Sequence, residues 1–376
     1  MNKIRMRLSR SIVGRLEAEA VARVIEQNGY LGMGEEVRLF EEEIAAYLGV
    51  APWMVTCVNT GTAALHLALE ASVPAGGEVL IPSLTFVASF QAALQANLVP
   101  VACEACLETG LLDLKDAETR ITTKTKAIMP VHYASNPALL ADVYEFAKKH
   151  GLRVIEDAAH AFGCTFNGKK VGSCGDIICF SFDGIKNITS GEGGAIVTFD
   201  SELARLVKDA RLLSVENDTE KRFQGGRTWD PDVKRRGWRY HMSNIMAAIG
   251  RTQLSRLDSE FAPARRRIVE IYRRQLKDVP GIALLEMNLD GIIAHIHPVR
   301  ILNGKLRGVA DKLEAAGIPT GSHYKPNHQL TLFGGGKERL PITEQLNGEL
   351  LTLPLHPDLK DNDIEFVCET LIKALQ

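Results

Sequence analysis

The sequence has no apolar run long enough to cross a membrane and no excess of either charge. None of its hydrophobic stretches reaches the roughly 18 residues that a transmembrane helix needs. A formal net charge of −2 over 376 residues gives no bulk attraction to nucleic acid or to an anionic membrane. The basic start, residues 1–5, leads into no apolar segment of signal-peptide length. We therefore expect a cytoplasmic protein whose partners include neither nucleic acid nor membrane.

Paired cysteines and internal repeats are missing as well. The seven cysteines are scattered and odd in number, which is typical of reduced thiols. Cys103 and Cys106 have the spacing of half a zinc site, but no second Cys or His pair of matching spacing follows, so we expect no metal site. The hydrophobic and charged fractions, 45% and 24%, are ordinary for a globular protein.

What the chain does have is an alternation of short apolar runs and helix-like segments between about residues 50 and 200. The runs cover residues 79–82, 127–131, 153–155 and 177–182. This alternation predicts an α/β fold with a mostly parallel sheet that is covered by helices on both faces. In such sheets, ligands bind beyond the carboxyl ends of the strands. Several polar and aromatic side chains lie at or just after these runs.

The second half of the chain divides into a loop, a helical segment and a mixed region. Residues 213–237 are charged, contain glycines and show no periodicity, which predicts a surface loop. This loop could be a lid or an inter-subunit arm, or it could be a mobile loop without a function. Residues 242–276 show a helical apolar face, which Pro263 should kink or divide. We predict a large domain over residues 1–250, with an N-terminal arm, and a small α+β domain over residues 251–376.

Lys186 and Asp157 carry the strongest chemical signal. Lys186 lies among mostly apolar and small residues, where a buried ammonium is costly and a neutral amine or Schiff base is favoured. Asp157 follows the apolar run of residues 153–155. A lysine that holds an aldehyde and an aspartate that keeps a ring nitrogen protonated are what pyridoxal 5'-phosphate (PLP) chemistry requires. A surface lysine in a loop and a helix-capping aspartate are the alternatives.

Three motifs extend this pair. Residues 155–163 read IEDAAHAFG, residues 181–186 read SFDGIK, and residues 191–194 read GEGG. As a set they resemble the DegT/DnrJ/StrS family of sugar aminotransferases, and the resemblance extends over nearly the whole chain. It implies PLP fold type I, with a seven-stranded, mostly parallel sheet in the large domain and a small C-terminal domain. It also implies a homodimer with shared active sites at the interface.

The resemblance assigns catalytic roles to Lys186 and Asp157 and a wider set of residues to the cofactor. The implied cofactor-binding residues are Thr60, Gly61, Thr62, Phe86, Asp157, His160, Ser181, Lys186 and Arg239. Free amides at the start of a helix after residue 60 suit a phosphate, although a simple threonine cap is the alternative. Phe86 would stack on the pyridine ring, unless it is an ordinary core residue. His160 would lie near the phenolic oxygen of the cofactor, unless it is a buried histidine bonded to the backbone.

Two positions depart from the family pattern. The family usually has asparagine at the position of Arg239 and arginine at that of His241. The asparagine typically reaches the cofactor phosphate of the neighbouring subunit, and the forked guanidinium of Arg239 could make the same contact. Arg239 could instead bind a nucleotide diphosphate or the carboxylate of the amino donor.

The resemblance also indicates a substrate pocket and a reaction. Tyr30, His323, Tyr324 and His328 match segments near the sugar in the family, although a plain turn and solvated loop histidines are the alternatives. Lys186 favours amino transfer, because certain sugar dehydratases of the family have histidine there. We expect transfer from L-glutamate, through pyridoxamine 5'-phosphate, to a keto group of a nucleotide-linked deoxysugar.

The expected substrate is dTDP-4-keto-6-deoxyhexose, aminated at C4, for surface polysaccharide (O-antigen) biosynthesis. GDP- and UDP-linked sugars and amination at C3 stay open. A non-catalytic PLP-binding regulator and a fold-type-I enzyme of amino-acid metabolism are the alternatives from other classes.

Overall fold

The computed structural model describes residues 6–376, apart from the side chain of Asn28. The basic start of the chain, on which the predicted lack of a signal segment rests, lies outside the described residues. The α-helices are α1 (Arg15–Arg23), α2 (Glu35–Leu48), α3 (Gly61–Ser72), α4 (Val87–Gln95), α5 (Leu114–Thr119), α6 (Leu140–His150), α7 (Ser201–Ala210), α8 (Asp218–Phe223), α9 (Asn244–Arg256), α10 (Ala262–Leu276), α11 (Leu306–Ala315), α12 (Pro341–Glu349) and α13 (Asp361–Leu375). The strands are β1 (Val55–Val58), β2 (Glu78–Pro82), β3 (Val99–Cys103), β4 (Thr125–Ile128), β5 (Arg153–Asp157), β6 (Thr165–Phe166), β7 (Lys169–Lys170), β8 (Ile177–Ser181), β9 (Gly194–Thr198), β10 (Ile282–Leu284), β11 (His297–Ile301) and β12 (Leu350–Leu353).

Seven strands form the main sheet in the order β1-β9-β8-β5-β4-β2-β3. Strand β9 runs antiparallel to both of its neighbours, and the remaining strand pairs of the sheet are parallel. The predicted mostly parallel sheet is therefore confirmed. Because helices cover both faces, strands such as β8 and β9 are buried along their whole length.

Alternate residues of one strand enter different cores. In β8, Ile178 and Phe180 pack in the cluster that contains α2 and α9 residues, whereas Ile177 and Cys179 pack in the cluster of α3 and α4. This is the two-residue period of a strand, expressed in a sheet that is buried on both sides. All four side chains are essentially inaccessible, which fixes the register of the strand.

A second, antiparallel sheet follows in the order β10-β11-β12. It packs against α10, α11 and α13 around its own hydrophobic cluster. This arrangement matches an α+β unit. The boundary at residue 250 stays a prediction, because α9 packs against α1 and α2 of the first part of the chain.

The predicted helical segment at residues 242–276 is confirmed, and it is divided into two α-helices just before Pro263. A π-helical turn, Leu257–Phe261, separates α9 from α10, and Pro263 lies in the first turn of α10. The π-helical turn continues directly into α10, with the Ala262 amide donating to the Leu257 carbonyl, and proline is tolerated at the start of an α-helix. The predicted loop at 213–237 contains one short helix, α8. Its Asp218 carboxylate accepts hydrogen bonds from Arg222 Nε (2.6 Å) and the Thr228 amide (2.9 Å).

Across residues 6–376, no helix is both long enough and apolar enough to span a membrane. Within the same part of the chain, no cluster of three or more His, Cys, Asp or Glu side chains could hold a metal ion. The seven cysteines are all free thiols.

Candidate active site

The carboxyl edge of the seven-stranded sheet gathers most of the predicted site residues around one cavity of about 420 Å³. Asp157 is the last residue of β5 and Ser181 the last of β8, while Thr60 and Phe86 follow β1 and β2. Because these strands are parallel, their carboxyl ends meet at one edge. The cavity is lined by Thr60, Gly61, Thr62, Leu65, Thr85, Phe86, Ala88, Val131, Asp157, Ala159, His160, Ser181, Asp183, Ile185, Lys186, Glu192, His295, His323 and Tyr324.

The start of α3 forms one wall. Thr60 caps the helix, because its side chain accepts a hydrogen bond from the Ala63 amide at 3.0 Å. The capping predicted as an alternative therefore occurs, and it leaves the amides of the first turn directed outward. A Cβ atom at Gly61 would lie 2.7 Å from Ser181 Cβ. Glycine therefore lets the helix start approach the Ser181 hydroxyl closely.

The carboxylate of Asp157 is buried and held on both oxygens. Oδ2 accepts a hydrogen bond from the Ser89 hydroxyl at 2.7 Å, and Oδ1 accepts one from the Ala159 amide at 3.2 Å. Such a carboxylate is a suitable acceptor for a protonated ring nitrogen, since its orientation is already fixed.

Lys186 lies in the turn after β8. Its amide donates to the Asp183 carbonyl (3.1 Å), and its side-chain Nζ lies 3.3 Å from His295 Nε2. Burial of the amine lowers the pKa of Lys186 from 10.5 to about 8, and the nearby charges of Asp157 and Asp183 limit this decrease. A substantial fraction of the amine is therefore unprotonated in mildly alkaline solution, as a nucleophile or base requires.

Three neutral histidines surround the lysine. Burial, together with the charge of Lys186, lowers the pKa of His160 and His295 well below the usual value. The same two causes lower the pKa of His323 to about 4. The rings of His160 and His295 lie 4.5 Å apart between centroids. Neutral imidazoles both donate and accept hydrogen bonds, so this part of the cavity can bind neutral polar groups without adding positive charge.

Two aromatic rings also line the cavity, those of Phe86 and Tyr324. The Tyr324 hydroxyl lies 3.0 Å from His160 Nε2, and burial raises the pKa of this hydroxyl above its usual value. Phe86 is 54% exposed, and its ring centroid lies 5.5 Å from that of Tyr324. Phe86 is therefore not the core residue considered as its alternative, and a flat ligand could cover its exposed face.

Three of the predicted residues do not line this cavity. Arg239 is exposed, and its backbone pairs with Leu212. Tyr30 is half-buried and its carbonyl accepts a hydrogen bond from Asn244 at 2.7 Å. His328 is buried, with Nδ1 placed 2.8 Å from the Ser83 hydroxyl. The binding roles given to these three residues stay predictions.

Sequence reasoning missed two residues that contact the centre of the site, His295 and Ser89. His295 lies just before β11 in a mostly apolar stretch, and no motif marks it. Ser89 lies in the first turn of α4. Its only sequence signal is a second hydroxyl residue, Thr85, four positions earlier, which is one helical turn away.

The donor set of the cavity fits PLP. The amides at the start of α3 and the Ser181 hydroxyl could bind a phosphate, and a flat ring could stack on the exposed face of Phe86. Asp157 offers a fixed carboxylate for a ring nitrogen, and Lys186 offers an amine of lowered pKa for an aldehyde. Each chemical group of the cofactor thus has a candidate partner in this cavity.

Comparison with known proteins agrees with this geometry. Residues 12–372 match the DegT/DnrJ/EryC1/StrS aminotransferase family. The chain belongs to this family. It is therefore a PLP-dependent aminotransferase of fold type I, and the predictions of family, fold class, enzyme class and cofactor are confirmed.

The relatives are similar along their whole length. A dTDP-4-dehydro-2,3,6-trideoxy-D-glucose 4-aminotransferase of Saccharopolyspora spinosa is 33% identical, with 98% of this chain and 96% of the relative covered. A GDP-perosamine synthase of Caulobacter vibrioides is 36% identical, with 96% and 95% covered. Among solved structures, Spr1654 of Streptococcus pneumoniae, described as a sugar aminotransferase in its PMP form, is 26% identical and superposes with a TM-score of 0.88, with 98% and 99% covered.

Proposed function

We propose that this aminotransferase moves the amino group of L-glutamate to the C4 keto group of a nucleotide-linked deoxysugar. The observation that carries the proposal is the convergence of Lys186, Asp157 and Ser181 on one cavity at the carboxyl edge of the sheet. PLP, when bound, supplies an electron sink and carries the amino group between the two substrates.

Lys186 is the proposed acid and base of both half-reactions. Its pKa of about 8 lies near the working pH, so the amine can both take up and release a proton. His295 Nε2 lies 3.3 Å from the Lys186 amine and would keep this amine directed into the cavity whenever the amine is not bonded to the cofactor. Asp157 is the proposed partner of the ring nitrogen, where its negative charge stabilises the protonated ring.

The remaining lining residues are proposed to hold the cofactor. The first turn of α3, at Thr60, Gly61 and Thr62, and the Ser181 hydroxyl would hold the phosphate, since amides at a helix start favour a dianion. Phe86 would cover one face of the ring. His160 would contact the phenolic oxygen, because its neutral imidazole can donate to that oxygen.

The sugar is proposed to be a dTDP-linked 4-keto-6-deoxyhexose, and its amino product to serve surface polysaccharide (O-antigen) biosynthesis. Support comes from the Saccharopolyspora relative, whose name specifies a dTDP-linked 4-keto sugar and transfer at C4. The Caulobacter relative makes a GDP-linked amino sugar, so GDP is the first alternative nucleotide to test. His323 and Tyr324 line the cavity and are the proposed contacts to the sugar. The substrate contacts predicted for Tyr30 and His328 belong to the same proposal.

A homodimer with shared active sites is part of the proposal. Arg239 is exposed and does not line the cavity of its own chain, which suits a side chain that reaches the cofactor phosphate of a neighbouring subunit. Division into domains at about residue 250 is retained, with residues 1–250 carrying the cofactor. A cytoplasmic location is proposed, and the seven free thiols support a reducing compartment.

The visible absorption spectrum of the purified protein tests the first half-reaction. We expect a yellow band that is lost when L-glutamate is added and returns with 2-oxoglutarate. dTDP- and GDP-linked 4-keto-6-deoxyhexoses are then added to the glutamate-treated protein, and recovery of the band identifies the acceptor. A band that does not change when glutamate is added would contradict glutamate as the amino donor. Recovery with GDP-linked sugars alone would contradict the proposed nucleotide.

A further inference from the structure

We infer that Ser89 is a positioning residue that fixes the carboxylate of Asp157, and that Thr85 fixes the proton of Ser89. The inference rests on the proposed function, in which Asp157 binds the ring nitrogen of the cofactor. It adds two buried hydroxyl groups that lead from the cavity wall at Thr85 to the carboxylate of Asp157.

The contact between Ser89 and Asp157 joins two elements that are distant in sequence. Ser89 lies in the first turn of α4, and Asp157 ends β5. The Ser89 hydroxyl donates to Asp157 Oδ2 at 2.7 Å, and Ser89 is completely buried. Hydrogen bonds from a hydroxyl to a carboxylate are short and strong, and burial removes the competition of water.

The neighbouring hydroxyl of Thr85 determines the direction of these hydrogen bonds. Thr85 Oγ1 lies 2.9 Å from Ser89 Oγ, and Thr85 is buried as well. Each hydroxyl group has a single proton, and an ionised carboxylate can only accept. Since Ser89 gives its proton to Asp157, Thr85 must donate to Ser89. The two hydroxyl groups therefore have one satisfied arrangement, in which the Ser89 proton always faces Asp157.

The backbone of Thr85 is fixed in turn by the segment that contains His328. The Asn327 side chain donates to the Thr85 carbonyl at 2.8 Å, and the Asn327 amide donates to the Ser83 carbonyl at 2.9 Å. Asn327 is completely buried, and His328 Nδ1 lies 2.8 Å from the Ser83 hydroxyl. These hydrogen bonds fix the backbone of the turn at residues 83–86.

The result is a carboxylate that cannot rotate. Ser89 holds Oδ2 and the Ala159 amide holds Oδ1, while Asp157 still lines the cavity. Removal of the Ser89 hydroxyl would free the carboxylate to turn away from the ring nitrogen. Part of the contribution of this hydrogen bond is lost equally in the cofactor-free protein, so only the remainder affects cofactor affinity. We therefore expect roughly tenfold weaker cofactor binding, which corresponds to about 1.4 kcal/mol.

The test compares the affinity of the cofactor-free protein for PLP with that for 1-deaza-PLP, in which a C–H group replaces the ring nitrogen. In Ser89→Ala, PLP should bind roughly tenfold more weakly, while the affinity for the deaza analogue should change less than about twofold. Thr85→Val removes the donor to Ser89 but keeps the shape of the side chain, so it should shift the affinities in the same direction. Thr85→Ser keeps the donor and should behave like the wild type.

Two results would overturn the inference. An equal loss of affinity for both cofactors in Ser89→Ala and Thr85→Val would indicate a general packing defect, and unchanged affinity for both would exclude any positioning. If Ser89→Ala does not fold, the comparison of Thr85→Val with Thr85→Ser still decides the question.

Asp157→Asn separates this inference from the proposed function. It should abolish the preference for PLP over the deaza analogue. If that preference persists in Asp157→Asn, the role proposed for Asp157 fails, and the inference fails with it. If Asp157→Asn loses the preference but Ser89→Ala and Thr85→Val keep it, only the inference about the hydroxyl groups fails. The assay requires neither glutamate nor a sugar, so it does not depend on the substrate.

Discussion

The side-chain nitrogen of Lys186 lies 3.3 Å from Nε2 of His295, which approaches it from the segment before β11. Both groups belong to the same cavity, and burial keeps His295 neutral by lowering its pKa. A neutral imidazole at this distance is a partner for the amine that adds no repulsive charge. Lys186, which the sequence motifs predict to be catalytic, thus contacts His295, which no sequence motif identifies.

Substitution of His295 should affect turnover more than substrate binding. In His295→Leu the buried amine of Lys186 loses this partner, which should lower kcat roughly tenfold and change KM for glutamate by less than about threefold. His295→Gln keeps a polar group at a similar reach and should stay within about threefold of the wild type. Steady-state kinetics of the three proteins checks this, and equal kcat values in wild type and His295→Leu would contradict it.

Loss of the lysine itself should end catalysis without unfolding the protein. Lys186→Ala removes the proposed acid and base, so we expect no multiple turnovers with glutamate and a keto-sugar nucleotide. Lys148→Ala, at an exposed position of α6, should retain full activity. Product counts per active site, together with circular dichroism, check both expectations. Multiple turnovers by Lys186→Ala would remove the basis of the proposed mechanism.

The lowered pKa of Lys186 predicts a pH-dependent stability of the cofactor-free protein. The amine has a pKa of about 8 in the folded state and 10.5 ordinarily, so the unfolded chain binds the extra proton between these values. The free energy of unfolding should therefore rise with pH from about 8 to about 10.5, by about 3 kcal/mol relative to Lys186→Met. Urea unfolding of both proteins across this range measures the difference, and parallel stability curves would contradict the prediction.

The close approach of α3 to β8 predicts sensitivity at Gly61. The added methyl group of Gly61→Ala would lie 2.7 Å from Ser181 Cβ, so one of the two elements must shift. Such overpacking costs about 1–3 kcal/mol, and we expect roughly tenfold or greater loss of PLP affinity. The matched control is Gly308→Ala in α11, where nothing lies within 4 Å. Equilibrium dialysis measures both, and similar affinities for the two variants would contradict the assignment.

A buried ion pair beside β1 predicts a large effect on stability. Arg211 and Glu41 form a hydrogen-bonded pair and both also bond to the backbone of Cys57. Arg211→Met would leave the buried Glu41 carboxylate without its cation, which should cost about 3–5 kcal/mol. The double variant Arg211→Met with Glu41→Leu should recover part of this loss. Arg15→Ala breaks an exposed pair with Glu19 and should cost less than about 1 kcal/mol.

The sheet was predictable because its strands are buried on both faces. Buried parallel strands are uninterrupted apolar runs, and the predicted runs at residues 79–82 and 177–182 are β2 and β8. The short helix α8 was not predictable, because its six mostly charged residues show no apolar period, although Arg222 and Asp218 form an ion pair within it.

The centre of the site was predictable only where chemistry marks a residue within a motif. Lys186 and Asp157 stand out because a charged lysine in an apolar segment is costly to bury, and a carboxylate directly after an apolar strand is typical of a ligand site. Ser89 does not stand out, since a serine in the first turn of a helix is ordinary and becomes informative only when β5 brings Asp157 beside it. For Arg239 the predicted contact involves a second subunit, which the sequence of one chain cannot position.

The cavity is assembled from residues in or next to two different sheets. Asp157 and Ser181 end strands of the seven-stranded sheet, whereas His295 precedes β11 and His323 follows the bridge from Gly321 to Thr352 of the three-stranded sheet. A small displacement of one sheet against the other would separate these side chains while every strand stayed intact. Heat inactivation of the enzyme would then begin below the temperature at which its secondary structure melts.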